Sequence, residues 1–461
     1  MSMAGSIPSK CPLKVSTILR QGCVLTAFLI PLKLSLTYIS LIPLILLWLY
    51  TYRYSLKGIL LSSEYKTVGI PIAIFLTVAT ISTFTGLRPL HSLPSLISLL
   101  FFSLTVPVFS SVAPIRPCIT ALVAGQSVAA LHSFLATNPL INVPHLFLGQ
   151  VTESGQLAIV IPLALGLVFQ DLKHISVTKR LLLTLGSGTA ILTLLAFAFQ
   201  KDLGITTSMA SVILICSLIA LKIVAKNTTS TNSLPTTTIS DNQRMDITIP
   251  TNLILYQLPL LASALIINLK RGPWLGVFSA LVVFCALVSQ RLLALIIAVV
   301  VVVGSAIPTV QQRLLESYEH FTISGGRSTI WRIGVELISE FPMGIGYHNS
   351  GILRRFSPEI PDSLKHFHNN FLNITAETGW LGLACFLWVI FALLSTSFRK
   401  GVPLISIAIG CSILSWQVAG LVEYNFGDSE ITIMVWMLVG FLIQSARNSN
   451  DTRHTQEVTP L

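Results

Sequence analysis

Three side chains, Arg271, Arg327 and His368, stand where apolar runs of this sequence give way to polar loop. A histidine has a reference pKa of about 6.5 and can take a proton from a hydroxyl near neutral pH. An arginine presents a planar fork of donors that matches phosphate oxygens. An imidazole beside guanidiniums would suit transfer of a group from a phosphate to a hydroxyl. Each residue also has a plainer reading. Lys270 and Arg271 could be a helix-end anchor that snorkels to the interface. Arg327 could form a surface salt bridge with Glu336 or Glu340, and His368 could sit at a helix start. Trp274, Trp331 and Trp380 read by default as an interfacial aromatic belt.

Further polar residues are candidates for substrate contacts. Lys270 precedes Arg271, and Asn369 follows His368. Arg332, Arg354, Arg355 and Lys365 are further cations that could meet phosphate. Glu423, Tyr424, Asn425 and Asp428, in LVEYNFGDSE, could hold a polar ligand or form a solvated loop.

The elements that must position these residues are helices in lipid. Of 461 residues, 53% are hydrophobic and 10% charged, whereas soluble domains carry about 25% charged residues. Such a chain cannot clothe a water-facing surface, so the expected fold is an all-α polytopic integral membrane protein. The net charge of +11 does not point to nucleic acid, because the basic residues are scattered between apolar runs. The seven cysteines form no CxxC pair and no cluster with histidine, which leaves them as small hydrophobes in helices. The basic residues before the first apolar run fit a retained signal anchor.

Apolar stretches near 22–33, 35–51, 67–86, 91–110, 115–135 and 155–171 are long enough to be spans. More lie near 180–200, 205–225, 250–268, 272–289, 291–308, 371–396, 402–421 and 429–445, predicting about 12–14 transmembrane helices. With the N-terminus inside, 18 of the 29 Lys and Arg fall on the inner side and 5 in short outer loops. That bias predicts cytoplasmic N- and C-termini. The chain then divides into an N-terminal helical region, 1–308, one large extracytoplasmic loop, 309–370, and C-terminal helices with a short tail, 371–461. Residues 226–248, rich in Thr, Ser and Asn, read as a cytoplasmic linker. In the large loop, a turn at Ser324–Gly326 and a helix from Ser328 to Glu340 are predicted, ended by Pro342 and Gly344. Its greasy side (Ile330, Ile333, Val335, Leu337, Ile338) suits a membrane surface. Mid-span charges are scarce, Lys33 at a hairpin bend being the main exception, which weighs against a transporter.

Three segments resemble the O-antigen ligase and polymerase superfamily, and the likeness spans about 250–445. KRGPWLG, 270–276, is similar to the family's SRGAWLG segment, with Lys270 for its serine. GGRSTIWRIGVELISEFPMGIGYHNS resembles the family's Arg–Trp helix and its Pro-x-Gly-x-Gly turn. HNNFLNITAETGWLG reproduces a ligase pattern: His368 and Asn369, nine residues, then Gly379 and Gly382. A fourth segment, from Leu146, is similar in its glycine rhythm, but Val151, Thr152, Glu153 and Ser154 replace the usual Asn-Pro-Asn core. Two spans within 172–250 are extra to the usual ligase layout.

The resemblance implies an inverting glycosyltransferase of the bacterial inner membrane that needs no metal or other cofactor. It would move a glycan from undecaprenyl diphosphate to an acceptor hydroxyl, such as that of lipid A-core, on the periplasmic face. His368 would be the general base, and Arg271 and Arg327 would hold the diphosphate. A polysaccharide polymerase or a protein O-oligosaccharyltransferase would use the same donor class.

Overall fold

The computed structural model describes residues 13–137, 147, 149–172, 251–322, 326–351 and 364–457. The expected spans near 180–200 and 205–225, the linker 226–248, and Arg354 and Arg355 lie outside the described residues. Those described form helices and connecting turns, with no strand among them.

The first half holds α1 (Leu13–Leu29), α2 (Leu34–Tyr52), α3 (Leu56–Leu60), α4 (Ser63–Thr85), α5 (Pro89–Ser103), α6 (Thr105–Val112), α7 (Ile115–Thr137) and α8 (Gln150–Leu172). The second holds α9 (Thr251–Ile267), α10 (Arg271–Val288), α11 (Gln290–Ala306), α12 (Pro308–Thr322), α13 (Arg327–Glu340), α14 (Asn370–Ser397), α15 (Leu404–Ala419) and α16 (Ser429–Glu457). Among the described residues, eight spans are long and apolar enough to cross a membrane: α2, α4, α5 with α6, α7, α8, α10, α14 and α16. Helices α9 and α15 add shorter apolar stretches. Helices α1 and α11, at 17 residues each, rise roughly 26 Å, a little short of the roughly 30 Å hydrocarbon core. The protein is all-α and polytopic. Lys33 sits exposed at the α1–α2 bend, as the sequence suggested.

Large apolar side chains stand outward, among them Ile39 at 71% and Phe391 at 72% exposure, as a lipid-facing surface requires. Inside, Trp48, Phe75, Phe109, Phe284 and Phe441 are fully buried. Trp48 satisfies its indole N–H on Ser111 Oγ at 2.8 Å. The described cysteines, Cys23, Cys118, Cys285, Cys385 and Cys411, are free and buried, as small hydrophobes would be.

Two departures from the sequence reading matter for the site. The large loop begins with a helix, α12, that the reading of the loop left out; Pro308 at its first position was the available start signal. Helix α13 buries Ile330, Ile333, Leu337 and Ile338 against Ile345, Phe367 and Ala376 of the protein itself, and leaves Val335 58% exposed. The apolar stripe of α13 is therefore spent on intramolecular packing.

One end of the bundle is built from interruptions. Helix α14 breaks at Gly379, which has φ 73° and ψ −177°, a conformation open to glycine because it has no Cβ. The break frees main-chain carbonyls, and the turn after α13 fills them. Ile345 N–H donates to Ala376 O at 2.9 Å, Gly346 N–H to Glu377 O at 3.0 Å, and Trp380 N–H to Pro342 O at 3.2 Å. Ser82 of α4 adds its hydroxyl to Glu377 O at 2.6 Å, and Leu87 N–H reaches Ile345 O at 2.9 Å. The Pro-x-Gly-x-Gly turn and the GxxG of the His368 motif are thus two halves of one joint.

Candidate functional site

Among the described residues, three without a glycine's freedom hold left-handed backbone: Leu269 (φ 52°), His348 (φ 57°) and His368 (φ 51°). Such a conformation costs roughly 1–2 kcal/mol per residue, so tertiary contacts must hold it. Leu269 and His368 flank the candidate residues. Leu269 separates α9 from α10 and delivers Lys270 and Arg271 at the start of α10. His368 turns the chain into α14, whose N-cap is Asn369.

Small residues set the approach of α10 to α15. A Cβ on Gly276 would lie 2.4 Å from Ser415 O, and one on Gly272 would meet Val422 and Glu423 side chains at 2.9 and 3.0 Å. The glycines of KRGPWLG therefore let Arg271 come to rest beside the loop that carries Glu423. That loop, 420–428, is fastened to the start of α14 by both asparagines after His368. Asn369 accepts from Leu372 N–H at 3.0 Å and donates to Leu421 O at 2.9 Å. Asn370 Oδ1 accepts from the main-chain N–H groups of Asn425 and Phe426 at 3.0 and 3.1 Å, and its amide donates to Asn425 Oδ1 at 2.6 Å.

Glu423 is the hub. Arg327 Nη2 donates to its Oε1 at 2.9 Å, and His368 Nδ1 lies 3.5 Å from its Oε2. Burial alone would raise the Glu423 carboxyl, but His368 and Arg327, with Lys270 behind them, outweigh it and hold the group below its ordinary value. His368 Nδ1 faces the carboxylate across 3.5 Å without closing a hydrogen bond, and a carboxylate so placed can orient an imidazole. Behind it, His366 Nδ1 accepts from the His368 main-chain N–H at 3.3 Å, which leaves the His366 proton on Nε2. Burial, reinforced by His368, pushes His366 down to about 4, so it is uncharged at neutral pH.

Arg271 lies within electrostatic reach of Arg313, Arg327, Glu316 and Glu423. Its guanidinium donates to Arg313 O at 3.4 Å, and Arg313 Nε donates to Leu269 O at 3.3 Å, tying α12 across the start of α10. Lys270, Arg271, Arg313 and Arg327 against Glu316 and Glu423 leave a net charge of +2 before His368 is counted. Such an arrangement suits a dianion held between arginine forks.

The remaining candidates divide. Asp428 accepts from Thr152 Oγ1 at 2.6 Å, and both sides meet in a narrow cleft lined by Ser154, Gly155, Lys270, Glu423 and Asp428. The start of α8, through Val151 and Ser154, therefore borders the same cleft. Asn369 is engaged in the cap and the loop clamp. Arg332 stands about 140° around α13 from Arg327 and pairs on the surface with Glu336 at 2.8 Å. The salt-bridge partner expected for Arg327 thus belongs to Arg332. Asn425 is buried and Tyr424 half-buried in the loop's foundation. Lys365 offers its carbonyl to Ser350 Oγ at 2.9 Å. Of the belt tryptophans, Trp331 is a structural donor, its indole N–H bonding Phe367 O at 2.9 Å and so fixing the residue before His368. Trp274 likewise donates to Leu265 O at 2.7 Å, while Trp380 stays 59% exposed.

Sequence reasoning missed Arg313, the tie from Trp331 to Phe367, and the role of Glu423 as shared partner. Only the first left a local signal: Pro308 opens a segment whose apolar residues recur at helical spacing.

Apolar helices long enough to cross a membrane, with cations, an imidazole and a carboxylate gathered at one end, define a polytopic membrane protein with a charged cluster at the end of its bundle. Residues 258–387 match the family model described as O-antigen ligase, so this part of the chain is an O-antigen ligase-like region. No curated protein matches the chain.

Proposed function

We propose that this protein transfers a glycan from undecaprenyl diphosphate to an acceptor hydroxyl, with lipid A-core as the acceptor, at the periplasmic face of the inner membrane. The observation that carries the reading is the placement of His368 and Arg327 on the two oxygens of Glu423, with Arg271 alongside.

In the proposed reaction, His368 Nε2 takes the proton of the acceptor hydroxyl as its oxygen attacks the anomeric carbon. The bond from that carbon to the diphosphate oxygen breaks, and the electron pair leaves with the diphosphate. Attack opposite the leaving group inverts the anomeric configuration. Diphosphate is a good leaving group, so positioned charge is the main requirement. Arg271 and Arg327 meet the charge that develops on it, and Arg313 adds to the field. Glu423 orients His368 and stabilises its cation. Lys270 and Asp428 border the cleft where the first sugar would sit. The arginines supply the counter-charge that a metal would otherwise bring, so the reaction is expected to be metal-independent.

The test is transfer by purified protein from a lipid-diphosphate glycan to lipid A-core. Metal-independent transfer that falls by about 10²–10⁴-fold in His368→Ala supports the reading. Lengthening of the glycan on its lipid carrier would instead make the protein a polymerase. Full activity in His368→Ala would remove the base from the mechanism.

A further inference from the structure

The first segment of α14 carries a carboxyl that the proposed chemistry does not use. Glu377 is fully buried two residues before the Gly379 break. Its Oε1 lies 2.7 Å from Ser350 Oγ and 3.4 Å from Ser350 N, while its Oε2 has no hydrogen-bond partner among the described residues. Ser350 Oγ is also 2.9 Å from Lys365 O.

A serine hydroxyl has one proton, and a main-chain carbonyl can only accept. If Ser350 gives its proton to Lys365 O, the contact with Glu377 Oε1 closes only when Glu377 donates. An ionised carboxylate has nothing to donate. The surroundings agree: a carboxylate here would leave one oxygen bare in a buried site, which proteins avoid unless the charge is paired. The titratable groups facing Glu377 are His348, Tyr347 and Tyr424. The tyrosines are neutral or negative and offer no counter-charge, and His348 is the one facing titratable group that favours the carboxylate, against the burial that opposes it.

We infer that Glu377 is an un-ionised carboxylic acid that donates to Ser350, and that Ser350 passes the constraint to Lys365 and so to the loop holding His366 and His368. Glu377 is a positioning residue: it sets where the imidazole sits without touching substrate. Its main-chain carbonyl is already tied to Gly346 and Ser82, so the side chain and backbone of one residue join the helix break to the histidine loop. The consequence for pH follows directly. Raising the pH until Glu377 ionises removes the donor, reverses the Ser350 hydroxyl toward the carboxylate and releases Lys365 O. The histidine loop then loses its anchor and transfer declines on the alkaline side.

Glutamine separates this role from simple packing, because its amide N–H₂ can donate to Ser350 as the acid does and cannot ionise. The spectroscopic arm is independent of any activity. The infrared difference between wild type and Glu377→Gln in nanodiscs at neutral pH should contain the carbonyl stretch of a protonated carboxylic acid. Ser350→Ala should shift that band, because it removes the acid's acceptor; this variant also decides the point if Glu377→Gln does not fold. A carboxylate band in place of the acid band, or no shift in Ser350→Ala, overturns the assignment. The activity arm rests on the transfer reaction proposed above. Glu377→Gln should keep transfer and lose the alkaline decline, while Glu377→Ala and Ser350→Ala should lose about tenfold to a hundredfold. Glutamine no better than alanine, in folded protein, overturns the positioning role. Wild type that transfers nothing would overturn the proposed reaction and leave the infrared result standing.

Discussion

The α10–α15 contact and the broken start of α14 both depend on glycines, for different reasons. In α10 the helix is continuous, and Gly272 and Gly276 matter for their size: they let two backbones approach, as small residues do between membrane helices. At Gly379 the residue matters for its backbone: φ is 73°, and the Pro342–Gly346 turn fills the gap. One region brings a cation to the site by close packing. The other sets the histidine loop by interrupting a helix and reusing the freed carbonyls. An end built by interruption needs more specific residues than one built by packing, and it should be the less forgiving of the two.

Valine at Gly379 is the strongest way to break this contrast. A side chain there would sit in left-handed backbone and place Cβ 2.5 Å from Pro342 O. The expected loss is on the order of 3–5 kcal/mol, at the severe end for single substitutions, seen as poor yield and a sharply lowered thermal midpoint in detergent. Near-wild-type stability would mean that the break is not needed. Gly276→Val should cost less, about 1–3 kcal/mol as overpacking does, because α10 can slide from Ser415 O. Its activity should suffer more than its stability, since Arg271 moves with α10. Gly272→Ala should be milder again, as its contacts with the Val422 and Glu423 side chains at 2.9 and 3.0 Å and with Ala419 O at 3.2 Å are all longer than the one to Ser415 O at Gly276. If Gly276→Val loses stability and activity in equal measure, the two regions are not distinct in the way described.

The spans were legible because lipid demands long apolar runs, and those near 115–135 and 371–396 reappear as α7 and α14 within a few residues. The Ser328–Glu340 helix begins one residue earlier, at Arg327. Proximity was legible only through motif resemblance, since nothing local in KRGPWLG or in the His368 segment says that they meet. Glu423 shows the limit well. Its own neighbourhood reads as a polar loop, and its role comes from Arg327, 96 residues away, and from His368. Arg332 shows the converse: it looked like a ligand for phosphate from charge alone, and an i, i+4 neighbour takes it.

The histidine loop can also be probed without substitution of a glycine, through acid. His366 is depressed to about 4 in the folded protein, chiefly by burial and then by His368, against about 6.5 when unfolded. The sign follows from linkage: the unfolded chain binds the proton more readily, so stability is full above the unfolded value and declines as pH falls toward the folded one. The window is therefore roughly pH 6.5 to 4, and the loss is on the order of 2 kcal/mol after allowing for partial exposure. Glu423 acts lower. Its folded value is depressed, so its contribution is present above about 4.3 and fades only as pH drops beneath that. Thermal unfolding at pH 7.5 and pH 5 should thus separate the two groups. His366→Asn keeps an acceptor for the His368 N–H but has no proton to bind, so it should flatten the pH dependence across this window while leaving the steeper fall below it. A variant as acid-sensitive as wild type between those two pH values would mean that His366 is not the titrating group, and that the histidine loop is less buried than its contacts with His368 and Tyr424 describe.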